Sequence, residues 1–232
     1  MRKIRKIILL VGIIFIFSTI LIGKYIKDHS VNTAELSIFK DEINNKNDDE
    51  DIDNIILVNK EIGLEREYEP RDLEVISVKS NKEILLRKEA SKNLKEMFED
   101  AKREGINLLA VSGYRPYEYQ ENVYNKEVYN NGKDYADSYV AKPGYSEHQT
   151  GLSVDVLAVD YTSMDENFEN TRECLWLHEN LHKYGFILRY LKGKEDITGY
   201  NYEPWHIRYV GVEHSIDIKE HELTLEEYLD RK

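Results

Sequence analysis

Two short segments constrain this chain more than any other part of it. Ser146-Glu147-His148-Gln149-Thr150-Gly151-Leu152-Ser153-Val154-Asp155 is followed, after about fifty residues, by Glu203-Pro204-Trp205-His206. The two segments supply two imidazoles and a carboxylate, and Glu203 stands beside the last imidazole as a spare carboxylate. Three N/O ligands with an open fourth position are what a catalytic zinc needs. A neighbouring Glu suits the task of taking a proton from an attacking water.

The local pattern says how these residues are presented. Leu152, Val154 and Val156 alternate with Ser153 and Asp155, the mark of a strand with one apolar and one polar face. His148 lies seven positions before Asp155, an odd separation that would put the two on opposite faces of one continuous strand. A turn at Gly151 is therefore expected between them. His206 and Arg208 share one face of a second strand, with Ile207 and Tyr209 on the other. Pro204 biases Glu203 toward extended backbone.

A competing zinc signature is present. His178-Glu179-Asn180-Leu181-His182 matches H-E-x-x-H, two imidazoles one helical turn apart with a Glu between them. Leu177, Leu181 and Tyr184 already give that segment an apolar stripe, so His178 and His182 also fit as boundary histidines. His29, His214 and His221 have no evident partners and read as surface residues.

The remaining elements are short. Ile55–Val58 reads as a strand, 81–104 as a helix ended by Gly105, 106–111 as a buried strand, and 117–130 as a second helix. Residues 131–145, with Asn-Asn-Gly and Pro-Gly, read as a loop. A third helix is expected over 169–184, stopped by Gly185, with strands at 186–191 and 206–210. Short strands mixed with helices, without a regular βαβ rhythm, predict an α+β fold: a small antiparallel sheet with flanking helices.

The N-terminus reads differently. Arg2, Lys3, Arg5 and Lys6 precede an uncharged run from Ile7 to Gly23, and seventeen helical residues span about 25 Å, the short end for a bilayer crossing. Basic residues in front and acidic ones behind place the rest of the chain outside a membrane. The expectation is a single-pass anchor over 1–23; the alternative is a cleaved signal peptide that releases the domain. Residues 24–53, with their Asn/Asp/Glu-rich stretch, read as a polar acidic stalk, 54–212 as the folded domain and 213–232 as a helical tail. The single cysteine, Cys174, excludes an intramolecular disulfide and reads as a small buried hydrophobe. A net charge of −12 argues against nucleic acid as a partner, and a monomer is expected.

Ser112-Gly113-Tyr114-Arg115, the Ser146–Asp155 segment and Glu203-Pro204-Trp205-His206-Ile207-Arg208-Tyr209-Val210, in that order, resemble the VanY-type D-alanyl-D-alanine carboxypeptidases. These are zinc peptidases that share the fold of the hedgehog signalling domain, and the resemblance covers roughly 54–212. It implies His148, Asp155 and His206 as ligands of Zn2+, Glu203 as general base and Arg115 as the partner of substrate or of a developing oxyanion. It further implies that Gln120 and Ser146 line the substrate pocket, with Trp205 as a pocket wall. The implied substrate is a peptidoglycan stem peptide ending in D-alanine. LD-specificity, endopeptidase action and a non-catalytic zinc-containing binding module are the alternatives on the same fold.

Overall fold

The computed structural model describes residues 54–231. The expected anchor at 1–23 and stalk at 24–53 lie outside the described residues. Among the described residues, no helix is long and apolar enough to cross a membrane.

A two-stranded hairpin opens the fold, with β1 (Leu73–Val75) antiparallel to β2 (Leu85–Arg87). Helix α1 (Lys88–Arg103) follows directly, then β3 (Leu108–Ser112), α2 (Tyr117–Asn131) and α3 (Lys133–Tyr139). A 3-10 turn (Glu147–Thr150) leads into β4 (Ser153–Ala158). Next come a 3-10 turn (Glu166–Asn170), α4 (Arg172–Asn180), another 3-10 turn (Leu181–Tyr184) and β5 (Phe186–Leu188). The chain continues through α5 (Glu195–Thr198), β6 (His206–Tyr209), α6 (Val212–Glu220) and α7 (Leu225–Leu229). Strands β3, β4, β6 and β5 form one antiparallel sheet in that order, as expected of an α+β domain.

The sheet's two faces divide the labour. Leu152, Val154, Val156, Ile207 and Tyr209 pack against Ala90, Leu94, Met97 and Ala101 of α1, all of them almost fully buried. Acidic Glu89 in the first turn of that helix and basic Lys102 and Arg103 in its last complement its macrodipole. The opposite face carries Asp155, His206 and Arg208, and a smaller apolar cluster of Leu109, Val111, Leu157, Phe168 and Cys174. Burial pushes the Cys174 thiol up to about 12, which makes it inert.

Four expectations need correction. The helix expected from 81 begins only at Lys88, because Ile84 and Leu86 are buried at a strand's period of two and β2 pairs with β1. The loop expected over 131–145 contains α3, held by the buried Ala136 and by hydrogen bonds from Tyr124 and Lys133 to Asp137. Ile55–Val58 is not a strand; its backbone is irregular, and the Ile56 and Val58 carbonyls accept hydrogen bonds from Arg208 and Arg189 respectively. His214, read as a surface residue, is buried with its Nδ1 2.7 Å from the Tyr228 hydroxyl.

Buried charge ties the first and last described segments to the sheet. Arg208 Nη2 donates to the carbonyls of Asn54 (3.0 Å) and Ile56 (2.7 Å). Arg189, just past β5, donates from both terminal nitrogens to Glu226 of α7 at 2.9 and 2.7 Å. Both guanidiniums are fully buried, and both also reach Glu147 Oε1 at 2.7 Å. A buried pair of this kind is strongly destabilising to break, because the remaining charge is left without compensation.

Gly185 stops the third helical segment at φ 79°. A Cβ there would lie 2.6 Å from Cε2 of Tyr209. Gly185→Ala is therefore expected to destabilise the domain by about 1–3 kcal/mol, seen as a lower urea midpoint with an unchanged m-value. A midpoint equal to wild type would show that Tyr209 moves aside freely.

Candidate metal centre

The register of the sheet builds the site. Asp155 of β4 pairs directly with His206 of β6, so their side chains emerge side by side on the same face. Ser112 of β3 pairs with Asp155 after a register shift that interrupts the ladder between Ala110 and Ser112. His148 arrives from the 3-10 turn before β4. Gly151, at φ 68°, makes the left-handed turn that returns the chain to the strand. A side chain at Gly151 would need both that disfavoured φ and a Cβ 2.8 Å from Leu73.

His148, Asp155 and His206 are all buried, and one ligand atom from each lies within 4.8 Å of the others. His148 Nε2 is 3.4 Å from Asp155 Oδ2, and His206 Nδ1 is 3.2 Å from Asp155 Oδ1. Asp155 Oδ1 nevertheless has no hydrogen-bond partner. The closeness alone reads as an ion pair; the missing hydrogen bond shows donor atoms converging on a common point rather than on each other. That geometry, with an N/N/O donor set, fits a divalent cation, and zinc in particular.

The other ring nitrogens are committed. His148 Nδ1 is 2.8 Å from the Gly113 carbonyl, which can only accept, so Nδ1 carries the proton and Nε2 is left with a lone pair. Burial, reinforced by Arg115, pushes His148 down to about 4 and keeps it neutral. Burial also opposes charge on His206, but the neighbouring carboxylates of Asp155 and Glu147 lift it to about 9. Burial would raise Asp155 as well; the two imidazoles outweigh it and hold the carboxyl below the usual range.

Glu203 lies next to this cluster, with Oε2 3.7 Å from His206 Nδ1 and its side chain 16% exposed. Burial raises its carboxyl to about 7; His206 opposes the rise and Asp155 adds to it. The segment is held from behind, because His178 Nε2 donates to the Pro204 carbonyl at 2.8 Å. This accounts for the H-E-x-x-H match: His178 braces the backbone between Glu203 and His206, and neither it nor His182 joins the ligand cluster. Arg115 is anchored by its backbone N–H to the His148 carbonyl at 3.1 Å, and its Nε is enclosed without a partner. Burial works against its charge, while Asp155 and Glu203 favour it.

A cavity of about 650 Å³ opens over the cluster. Arg115, Gln120, Ser146 and Trp205 all line it together with Glu203 and the three ligand residues. Gln120 and Ser146 are almost fully buried, and Trp205 also packs on the apolar cluster around Leu157. Two contributors escaped the sequence reading. Tyr190 lines the cavity with its ring 4.8 Å from that of His206. Glu147 sits beneath, with Oε2 3.4 Å from His206 Nε2. An acid standing between two motif residues, Ser146 and His148, was the available signal for Glu147; its burial and its arginine partners emerge only in the fold.

Known proteins share this architecture. The family model of VanY, D-alanyl-D-alanine carboxypeptidase, matches residues 83–212. YodJ of Bacillus subtilis (strain 168) is 46% identical over 183 residues, covering 76% of this chain and 67% of that protein. Among solved structures, the LD-carboxypeptidase LdcB superposes with a TM-score of 0.72 at 46% identity, covering 77% of this chain and 86% of that one. The vancomycin resistance D,D-pentapeptidase VanY, solved as a mutant with Zn(II), gives a TM-score of 0.66 at 35% identity, covering 76% of this chain and 99% of that one. The chain belongs to the VanY family of D-alanyl-D-alanine carboxypeptidases, which are peptide hydrolases.

Proposed function

We propose that this protein removes the terminal D-alanine from peptidoglycan stem peptides by zinc-dependent hydrolysis. The observation that carries the reading is the convergence of His148, Asp155 and His206 beside Glu203, in a cavity that Arg115 also lines. Zinc held by those three residues would supply an activated water at neutral pH and an electrophile for the scissile carbonyl. Glu203, with a carboxyl poised near neutrality, accepts the proton of the attacking water and returns it to the leaving amine. Arg115 offers a guanidinium that stays charged and can take two oxygens at once, which suits a developing oxyanion or a terminal carboxylate. Gln120 and Ser146 bind substrate through polar groups on the cavity wall, and Trp205 packs beside it. The basic and apolar N-terminal residues support action at the outer surface of a membrane, with the domain tethered or released.

LD-carboxypeptidase action is the second reading, favoured by the resemblance to LdcB at 46% identity. Incubation with tripeptide, tetrapeptide and pentapeptide stems separates the two. DD-activity releases D-alanine from the pentapeptide, LD-activity releases it from the tetrapeptide, and a chelator stops either. Zinc-loaded protein that releases nothing from any stem would sink the enzymatic reading.

Two substitutions test the assigned roles. Glu203→Gln is expected to lower kcat by about 10²–10⁴-fold while bound zinc, measured by elemental analysis, is unchanged. Arg115→Met is expected to lower kcat/KM by about 10²-fold or more, again with metal retained. Wild-type kinetics in either variant removes that residue from the mechanism.

A further inference from the structure

The buried carboxylate of Glu147 is locked by three donors besides His206. Its Oε1 accepts from Arg189 Nε and Arg208 Nη1, each at 2.7 Å. Its Oε2 accepts from Ser153 Oγ at 3.0 Å and faces His206 Nε2 at 3.4 Å. Those donors come from β4, β6 and the residue after β5, three adjacent positions of one rigid sheet. An ionised carboxylate has about four acceptor positions. All of them are taken here, so Glu147 has no freedom to turn away from His206.

We infer that Glu147 is a positioning residue that makes His206 a ligand through Nδ1. An acceptor-only group facing Nε2 requires that nitrogen to carry the proton. The lone pair is then on Nδ1, the atom beside Asp155 Oδ1 and Glu203 Oε2. His148 is fixed in the opposite sense by the Gly113 carbonyl, so the two imidazoles serve through different nitrogens. Arg189 and Arg208 act through Glu147: they claim its Oε1 and set which oxygen remains for the imidazole.

The inference rests on the metal-centre reading of His148, Asp155 and His206, and on no assumption about substrate. Glu147→Gln is the decisive variant. The two guanidiniums claim the amide oxygen, which leaves the NH2 group facing His206 Nε2. That nitrogen must then accept, and the proton moves to Nδ1, where it competes with the metal. Cobalt(II) affinity, measured by competition, is expected to fall about 10–100-fold, with an altered visible absorption spectrum. Glu226→Gln is the control, because it loosens the Arg189 bridge while leaving the Glu147–His206 contact intact. It is expected to bind cobalt within about threefold of wild type, since Glu226 contacts neither Glu147 nor a metal ligand and Glu147 keeps its bonds to Arg208 and Ser153.

A folded Glu147→Gln protein with wild-type affinity and spectrum overturns the inference, as does an equal loss in Glu226→Gln. Should Glu147→Gln fail to fold, long-range 1H–15N correlation on zinc-loaded wild type decides instead. A protonated Nε2 and metal-bound Nδ1 on His206 are expected, and the reverse assignment overturns the inference. Wild type that binds no metal overturns both this inference and the metal-centre reading. Wild type that binds metal normally but cleaves no stem peptide overturns only the proposed function.

Discussion

The pairing of Asp155 with His206 across β4 and β6 is the constraint on which everything else depends. A sheet's side chains alternate with a period of two, so a slip of one residue would send both groups into the apolar face against α1. That slip is prevented by burial on the same strands: Leu152, Val154, Val156, Ile207 and Tyr209 have nowhere else to go. The chemistry of one face is thus held in place by the hydrophobic packing of the other. The third ligand comes from outside the ladder and needs its own device, the left-handed turn at Gly151.

Around this centre the protein keeps polar groups away from water without leaving them idle. The face opposite α1 buries two arginines and a glutamate, an arrangement that costs a great deal unless every group is paired. Pairing is achieved by recruiting backbone carbonyls of Asn54 and Ile56 and a carboxylate from α7. The positive side of the network lies against Glu147, and Arg115 approaches the cluster on the cavity side. Fixed positive charge near the ligands suits a site where negative charge must develop during reaction.

Much of this was legible in the sequence, and the reasons differ element by element. The alternation from Leu152 to Val156 is a purely local signal and survives into β4. Gly105 and Gly185 adopt positive φ at the ends of helical segments, as their positions suggested. Ile84 and Leu86 misled because a short apolar run adjoining a helix fits either period, and only pairing with β1 decides it. Helix α3 was hidden by Asn130-Asn131-Gly132, which reads as a turn and does make one, but only as a hinge between two helices. His178 and His182 carry a motif with metal spacing that the sequence offered as a competitor, and the fold instead uses its first histidine to brace a carbonyl at Pro204. The roles of Arg189 and Arg208 were out of reach, because a buried guanidinium is recognised by partners that lie far away in the chain.

The clamp of Arg208 on the Asn54 and Ile56 carbonyls has a consequence for where the domain truly starts. The family model's match begins at residue 83, yet the Arg208 donors beneath the metal centre are satisfied by backbone almost thirty residues earlier. A boundary drawn from that match alone would leave a buried guanidinium with vacant donors two residues from His206. The folding unit is therefore larger than the matched region, and its first segment, strand-like in sequence but irregular in backbone, functions as a structural plug.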